Sequence, residues 1–132
     1  MKKLIFATIL AIFVSCNKDE PYTPPSDPKQ AILGEWELIE QGNWPNMYST
    51  TPIHYTEYFR DSTMGIYQYE TKEYYISNAR YWIDSLFYIK YEREDGYEII
   101  QKYSYEFYDN KMRLDMLDVL AIFETVIYQR KK

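Results

Sequence analysis

The chain has 132 residues, one cysteine and a net charge of −5, which suits one domain and is too short for a multidomain enzyme. A single cysteine excludes an intramolecular disulfide framework, and four glycines with six prolines exclude collagen-like and low-complexity folds. Without Lys2 and Lys3 the charge falls to −7, and an acidic domain with no basic stripe argues against nucleic acid as a partner.

Residues 1–16 read MKKLIFATILAIFVSC. Two lysines precede an apolar run from Leu4 to Phe13. That run is shorter than the roughly 20 residues a transmembrane helix needs, and small residues follow it, as in a signal peptide. The solitary cysteine stands at the cleavage position. The segment resembles a bacterial lipoprotein lipobox, with Phe13 where an aliphatic residue is commoner. The resemblance implies cleavage after residue 15 and lipid on Cys16, and two or more acyl chains make membrane attachment stable. Asn17-Lys18-Asp19-Glu20 resembles the surface-export signal of Bacteroidota-type lipoproteins, which implies an outer-membrane location with the domain displayed outward. Retention facing the periplasm is the alternative.

Residues 16–30 form the tether. NKDEPYTPPSDPKQ holds four of the six prolines, so extended polyproline II is expected, reaching at most ~43 Å at about 3.1 Å per residue. The domain occupies 31–132, and no proline follows Pro52.

Alternation of apolar and polar residues dominates this domain. It is clearest from Tyr97 to Tyr108, where odd positions are mostly apolar and even positions mostly polar, as a half-buried strand requires. Asp109-Asn110 then turns the chain into Lys111–Leu117. Strands are predicted at 33–41, 53–60, 63–71, 73–77, 80–93, 97–108, 111–117 and 120–130. Turns are predicted at Asp61-Ser62, Ser77-Asn78 and Glu94-Asp95-Gly96, with a bulge at Asp84-Ser85. Leu114–Phe123 also carries partial helical spacing. Eight consecutive strands without crossover helices predict an all-β fold, an eight-stranded antiparallel up-and-down barrel that removes its edges by closing.

The first strand contains Gly34, Trp36 and Leu38 on one face. This G-x-W resembles the signature that opens the lipocalin barrel, and with the leader the chain resembles the short lipocalin-like lipoproteins of Bacteroidota. The resemblance implies that Trp36 plugs the closed end and that Arg130, near the end of the last strand, packs over its indole. True lipocalins are longer, which reduces the loops and the expected cavity.

The residue inventory limits the chemistry. One histidine, His54, excludes a histidine-rich zinc site and acid–base work by a histidine pair; flanked by Ile53 and Tyr55, it is expected to be structural. A lipidated Cys16 is no nucleophile. Gly34, Gly42, Gly65 and Gly96 stand alone, so no phosphate-cradling loop exists. Glu92, Glu94 and Asp95, and Asp115 with Asp118, read as solvated turns rather than a carboxylate pair or a calcium loop. No enzyme activity, metal or cofactor is expected.

Sixteen tyrosines remain, each joining a broad apolar face to a hydroxyl suited to sugars and amphipathic molecules. Tyr97, Tyr103 and Tyr105 share the expected inward face of one strand, either as core or as ligand contacts. The segment from Gly42 to Pro52 carries Trp44 and Tyr48 and either lids the open end or folds back on the barrel wall. The expected function is a lipid-anchored barrel binding a small amphipathic or glycan-like ligand. The alternative is a filled barrel docking to an envelope protein through outward aromatics such as Tyr67, Tyr69, Tyr88 or Tyr91.

Overall fold

The computed structural model describes residues 21–118 and 124–132; the leader and Cys16 lie outside them. A single helical turn, α1 (Pro28–Ala31), precedes nine strands: β1 (Gly34–Asn43), β2 (Asn46–Ser49), β3 (His54–Tyr58), β4 (Thr63–Gln68), β5 (Glu73–Ile83), β6 (Phe87–Glu92), β7 (Glu98–Tyr108), β8 (Lys111–Met116) and β9 (Thr125–Arg130). Eight of them form a closed antiparallel up-and-down barrel in the order β1-β3-β4-β5-β6-β7-β8-β9. Closure is made by β9 returning to β1, from Trp36 opposite Arg130 to Gly42 opposite Thr125, with one register shift between Leu38 and Glu40.

The ninth strand, β2, was expected to be loop. It pairs with β1 from Glu40–Ser49 to Asn43–Asn46, along the same edge that β3 occupies lower down from Glu37–Tyr55 to Gly34–Tyr58. Thr50 joins the two, its N–H donating to the Ile39 carbonyl at 2.8 Å and its hydroxyl to the Leu38 carbonyl at 3.0 Å. β2 and β3 are thus one interrupted strand.

The predicted turn at Ser77-Asn78 and the predicted bulge at Asp84-Ser85 exchange places. β5 runs through residues 77 and 78, where its pairing with β4 shifts register between Thr63 and Gly65. There the Ser77 hydroxyl accepts from Ala79 N–H at 3.1 Å, and Asn78 Nδ2 donates to the Glu92 carbonyl at 3.0 Å. Those side chains bond within the sheet instead of reversing it. At Asp84, by contrast, the backbone N–H donates to the Leu86 carbonyl at 3.0 Å and the carboxylate accepts from Leu86 N–H at 3.3 Å, which makes a turn. Short polar residues stabilise both devices, so the strand count survives while the boundary moves. Leu114–Met116 lies in β8, against the helical spacing there; the rest of that segment lies largely outside the described residues, as do residues 120–123 of the last predicted strand.

The tether also departs from expectation. Residues 28–31 coil into α1, capped by Asp27, whose carboxylate accepts from Lys29 N–H at 2.9 Å, with Pro28 in the first turn. Ala31 and Ile32 are fully buried, so this end of the tether is part of the domain. Inside the barrel the core is aromatic. Tyr58 meets Tyr81 edge-on at 5.0 Å and Phe87 at 5.8 Å, and Phe87 meets Tyr103 at 5.8 Å. Trp36, Met112 and Leu114 complete it.

Candidate functional site

The barrel has a closed base, where β1 starts and β9 ends, and an opposite mouth formed by the β4–β5 and β6–β7 turns and the β1–β2 hairpin. The base is assembled from the residues the signature names. Trp36 is 1% exposed, and its indole Nε1–H donates to the Ile32 carbonyl at 2.7 Å. The Arg130 guanidinium lies 4.5 Å from the Trp36 ring centroid and 5.0 Å from that of Tyr22. Its Nη1 donates to the Leu33 carbonyl at 2.8 Å and its Nη2 to the Ala31 carbonyl at 2.5 Å. Gly34 stands at φ +111°, and a Cβ there would come 3.0 Å from Arg130 Nη1, so the position needs glycine both for conformation and for space. Gly34, Trp36 and Arg130 therefore form one unit that closes the barrel, seats α1 and holds Tyr22.

The ligand-binding candidates are not brought together. Tyr103 faces the core at 8% exposure, and its hydroxyl donates to Gln101 Oε1 at 2.9 Å. Tyr105 lies lower on the same inward face, half-buried, with its hydroxyl donating to the Asp84 carbonyl at the base. Tyr97 stands before the start of β7, 64% exposed, beside Arg93 at 6.0 Å. The alternation is correct from residue 99 onward, but the β6–β7 turn extends through Tyr97, whose carbonyl accepts from Arg93 N–H.

Trp44 is no lid over the mouth. It packs on the outer wall, its ring 3.8 Å from the Arg113 guanidinium, while Arg113 pairs with Asp115 at 3.0 Å and Thr125 donates to Asp115 Oδ1 at 2.6 Å. On this strip Thr125 and Ile127 point outward yet are each 2% exposed. The hairpin thus folds back where β9 carries an apolar residue on its outer face. Tyr48, on β2, remains largely exposed.

Four interior tyrosines escaped the sequence reading. Tyr58, Tyr81, Tyr91 and Tyr128 join Tyr103 inside the barrel; burial raises the pKa of each of them, and neighbouring tyrosines add to the rise at Tyr58, Tyr103 and Tyr128. Burial pushes Tyr128 up to about 12 and Tyr58 well above the ordinary tyrosine value; Tyr103 and Tyr91 are raised for the same first reason. The available signal was their period-two spacing in register with Trp36. Tyr91 therefore does not belong to an outward aromatic patch. Tyr67 and Tyr69 do: Tyr55 stacks on Tyr67 at 5.2 Å, and Tyr69 donates to Glu37 at 2.8 Å. Tyr88 stacks on Trp82 at 4.7 Å elsewhere on the outer wall.

His54 opens β3 opposite Gln68, alternating with inward Thr56 and Tyr58, and its Nδ1 is buried without a hydrogen-bond partner. The carboxylates have local work. Asp95 accepts from Tyr97 N–H at 3.1 Å and pairs with Arg93 at 3.2 Å, which shapes the β6–β7 turn. Among the described residues no three His, Cys, Asp or Glu side chains converge as a metal site, and no helix is long and apolar enough to cross a membrane. A groove of about 430 Å³ between Lys29, Arg60 and Trp82 lies outside the barrel, at the base.

Apolar exposure is unevenly distributed. Among the described residues twelve large hydrophobic side chains are exposed, of which Tyr22 and Trp82 belong to the base; Ile53, Tyr75, Ile76, Tyr97, Ile100 and Leu117 are among those toward the mouth. Comparison with family models and with curated proteins finds no match to this chain.

Proposed function

We propose that this chain is a lipid-anchored outer-membrane lipoprotein whose non-enzymatic, lipocalin-like barrel binds a small amphipathic or glycan-like ligand at its mouth. The observation that carries the reading is the gathering of exposed aromatic and aliphatic side chains toward the end opposite the tether. Apolar side chains left exposed in number at one end mark a binding surface, and the base is packed. With Tyr22 held by Arg130, five residues separate Cys16 from Tyr22, a reach of at most ~20 Å. The base then faces the membrane and the mouth faces away from it.

Three experiments test this. Mass spectrometry of the mature N-terminus should find acyl chains on Cys16, and Cys16→Ser should release the protein from the membrane fraction; an unmodified, membrane-bound Cys16→Ser protein would overturn the anchor. Calorimetric titration with short alkyl glycosides should give saturable heat that falls in Tyr97→Ala, and no heat across the panel would overturn ligand binding. Protease shaving of intact cells distinguishes surface display from a periplasm-facing domain. The stacked Tyr55–Tyr67 pair beside Tyr69 favours a second reading, docking to an envelope protein through the outer wall, which whole-cell crosslinking from Tyr67 addresses.

A further inference from the structure

We propose that the mouth-end edge of β5 accepts an extended, basic segment of a partner protein as an added strand. On one side β5 pairs with β4 down to Glu73 opposite Gln68. On the other side β6 reaches only Arg80 to Ile83, and the Asn78 side chain, bonded to the Glu92 carbonyl, ends that ladder. From Glu73 to Ser77 no strand among the described residues occupies this edge. Five residues of open main chain span about 17 Å. Such edges are ordinarily protected by proline, lysine or a covering loop, and Glu-Tyr-Tyr-Ile-Ser contains neither residue.

The side chains on this edge are apolar on both faces of the sheet. Tyr74 and Ile76 point outward and Tyr75 inward, and they are 43%, 57% and 48% exposed. An incoming strand would cover apolar surface on either side of the main-chain bonds, the arrangement by which sheet edges capture extended peptides.

Charge selects the occupant. Over segments 40–54, 67–76, 90–100, 115–118 and 124–125, which make the mouth half, ten carboxylates face three cations. Two of those cations are already paired, Lys90 with Glu98 at 2.9 Å and Arg93 with Asp95 at 3.2 Å. Glu70, Glu73, Glu92 and Glu94 are exposed around the edge. A second copy of the chain would bring a second mouth rich in carboxylates to the same place, whereas a strand alternating lysine or arginine with β-branched residues complements both the acids and the apolar faces. This inference is independent of the small-ligand reading.

The test uses the full-length chain and three labelled octapeptides: alternating lysine and valine, the same with glutamate for lysine, and the lysine version with every valine N-methylated to remove its donors. Fluorescence anisotropy should give the lysine peptide a micromolar Kd, with the other two at least tenfold weaker. Hydrogen exchange should slow at Tyr74 to Ser77. Glu70→Gln/Glu73→Gln, both exposed, should weaken the lysine peptide about threefold without altering the thermal midpoint. Equal binding of the glutamate peptide overturns the charge argument, and equal binding of the N-methylated one overturns strand addition. Absent binding, protection elsewhere, or concentration-dependent self-association that protects β5 each overturns the proposal. If alkyl glycosides bind and the lysine peptide does not, only the strand proposal fails; the reverse result removes only the small-ligand reading.

Discussion

At the base, the Trp36 indole and the two terminal nitrogens of Arg130 donate to the Ile32, Leu33 and Ala31 carbonyls, while Arg130 Nε is buried without a partner. At the mouth, built from the other ends of the same strands, Tyr75, Ile76 and Tyr97 remain exposed, and carboxylates outnumber cations. The contrast separates stabilisation from recognition along one axis. Residues that close the barrel are buried and bonded to one another, while those that a partner would meet keep much of their apolar surface exposed.

Substitutions at the two ends sharpen this division. The largest effect is expected from Trp36→Ala, which removes a fully buried aromatic and its hydrogen bond and should cost about 3–5 kcal/mol by chemical denaturation. Arg130→Met leaves the Ala31 and Leu33 carbonyls without their donor and should cost about 2–4 kcal/mol, with α1 losing its protection from hydrogen exchange. A loss below about 1 kcal/mol in either variant would remove the base as the stability centre. Trp44→Ala, on the outer wall, should cost about 0.5–2 kcal/mol through its contact with Arg113, read as a modest fall in thermal midpoint. Tyr97→Ala at the mouth should change stability by no more than about 0.5 kcal/mol, and a larger loss would mean the mouth is load-carrying after all.

Alkali offers a further test of the interior. Tyr81 and Tyr128 are each pushed up to about 12 chiefly by burial. A raised folded pKa means the unfolded chain loses its proton first, so this contribution is fully present below pH 10. It disappears as pH rises through about 12. Tyrosinate absorbance should therefore rise in a cooperative step that coincides with loss of β circular dichroism. A smooth, non-cooperative rise with the fold intact would show that these hydroxyls are open to solvent.

The two ends also differed in how much the sequence reveals. Gly34, Trp36 and Arg130 drew attention through a resemblance, since a barrel signature of that kind implies an arginine of the last strand over the indole, and the structure places the guanidinium 4.5 Å from the Trp36 ring. The strands from 98 to 116 were legible because period-two alternation and an Asp-Asn turn agree with each other. Ser77-Asn78 and Asp84-Ser85 were not separable, since the same short polar side chains stabilise a bulge and a turn, and only pairing with β4 and β6 decides between them. Tyr97 was misassigned for a related reason: alternation continues past the point where hairpin geometry ends the ladder.

Local sequence alone therefore determined the class of fold and the number of barrel strands, because alternation depends on side-chain spacing. The placement of Trp44 on Arg113, the gathering of Tyr58, Tyr91, Tyr103 and Tyr128 inside, and the edge at Glu73–Ser77, which no strand among the described residues pairs, were decided by the tertiary structure. Each depends on residues distant in the chain, and on how far one hairpin extends past its neighbour, a register that no single segment encodes.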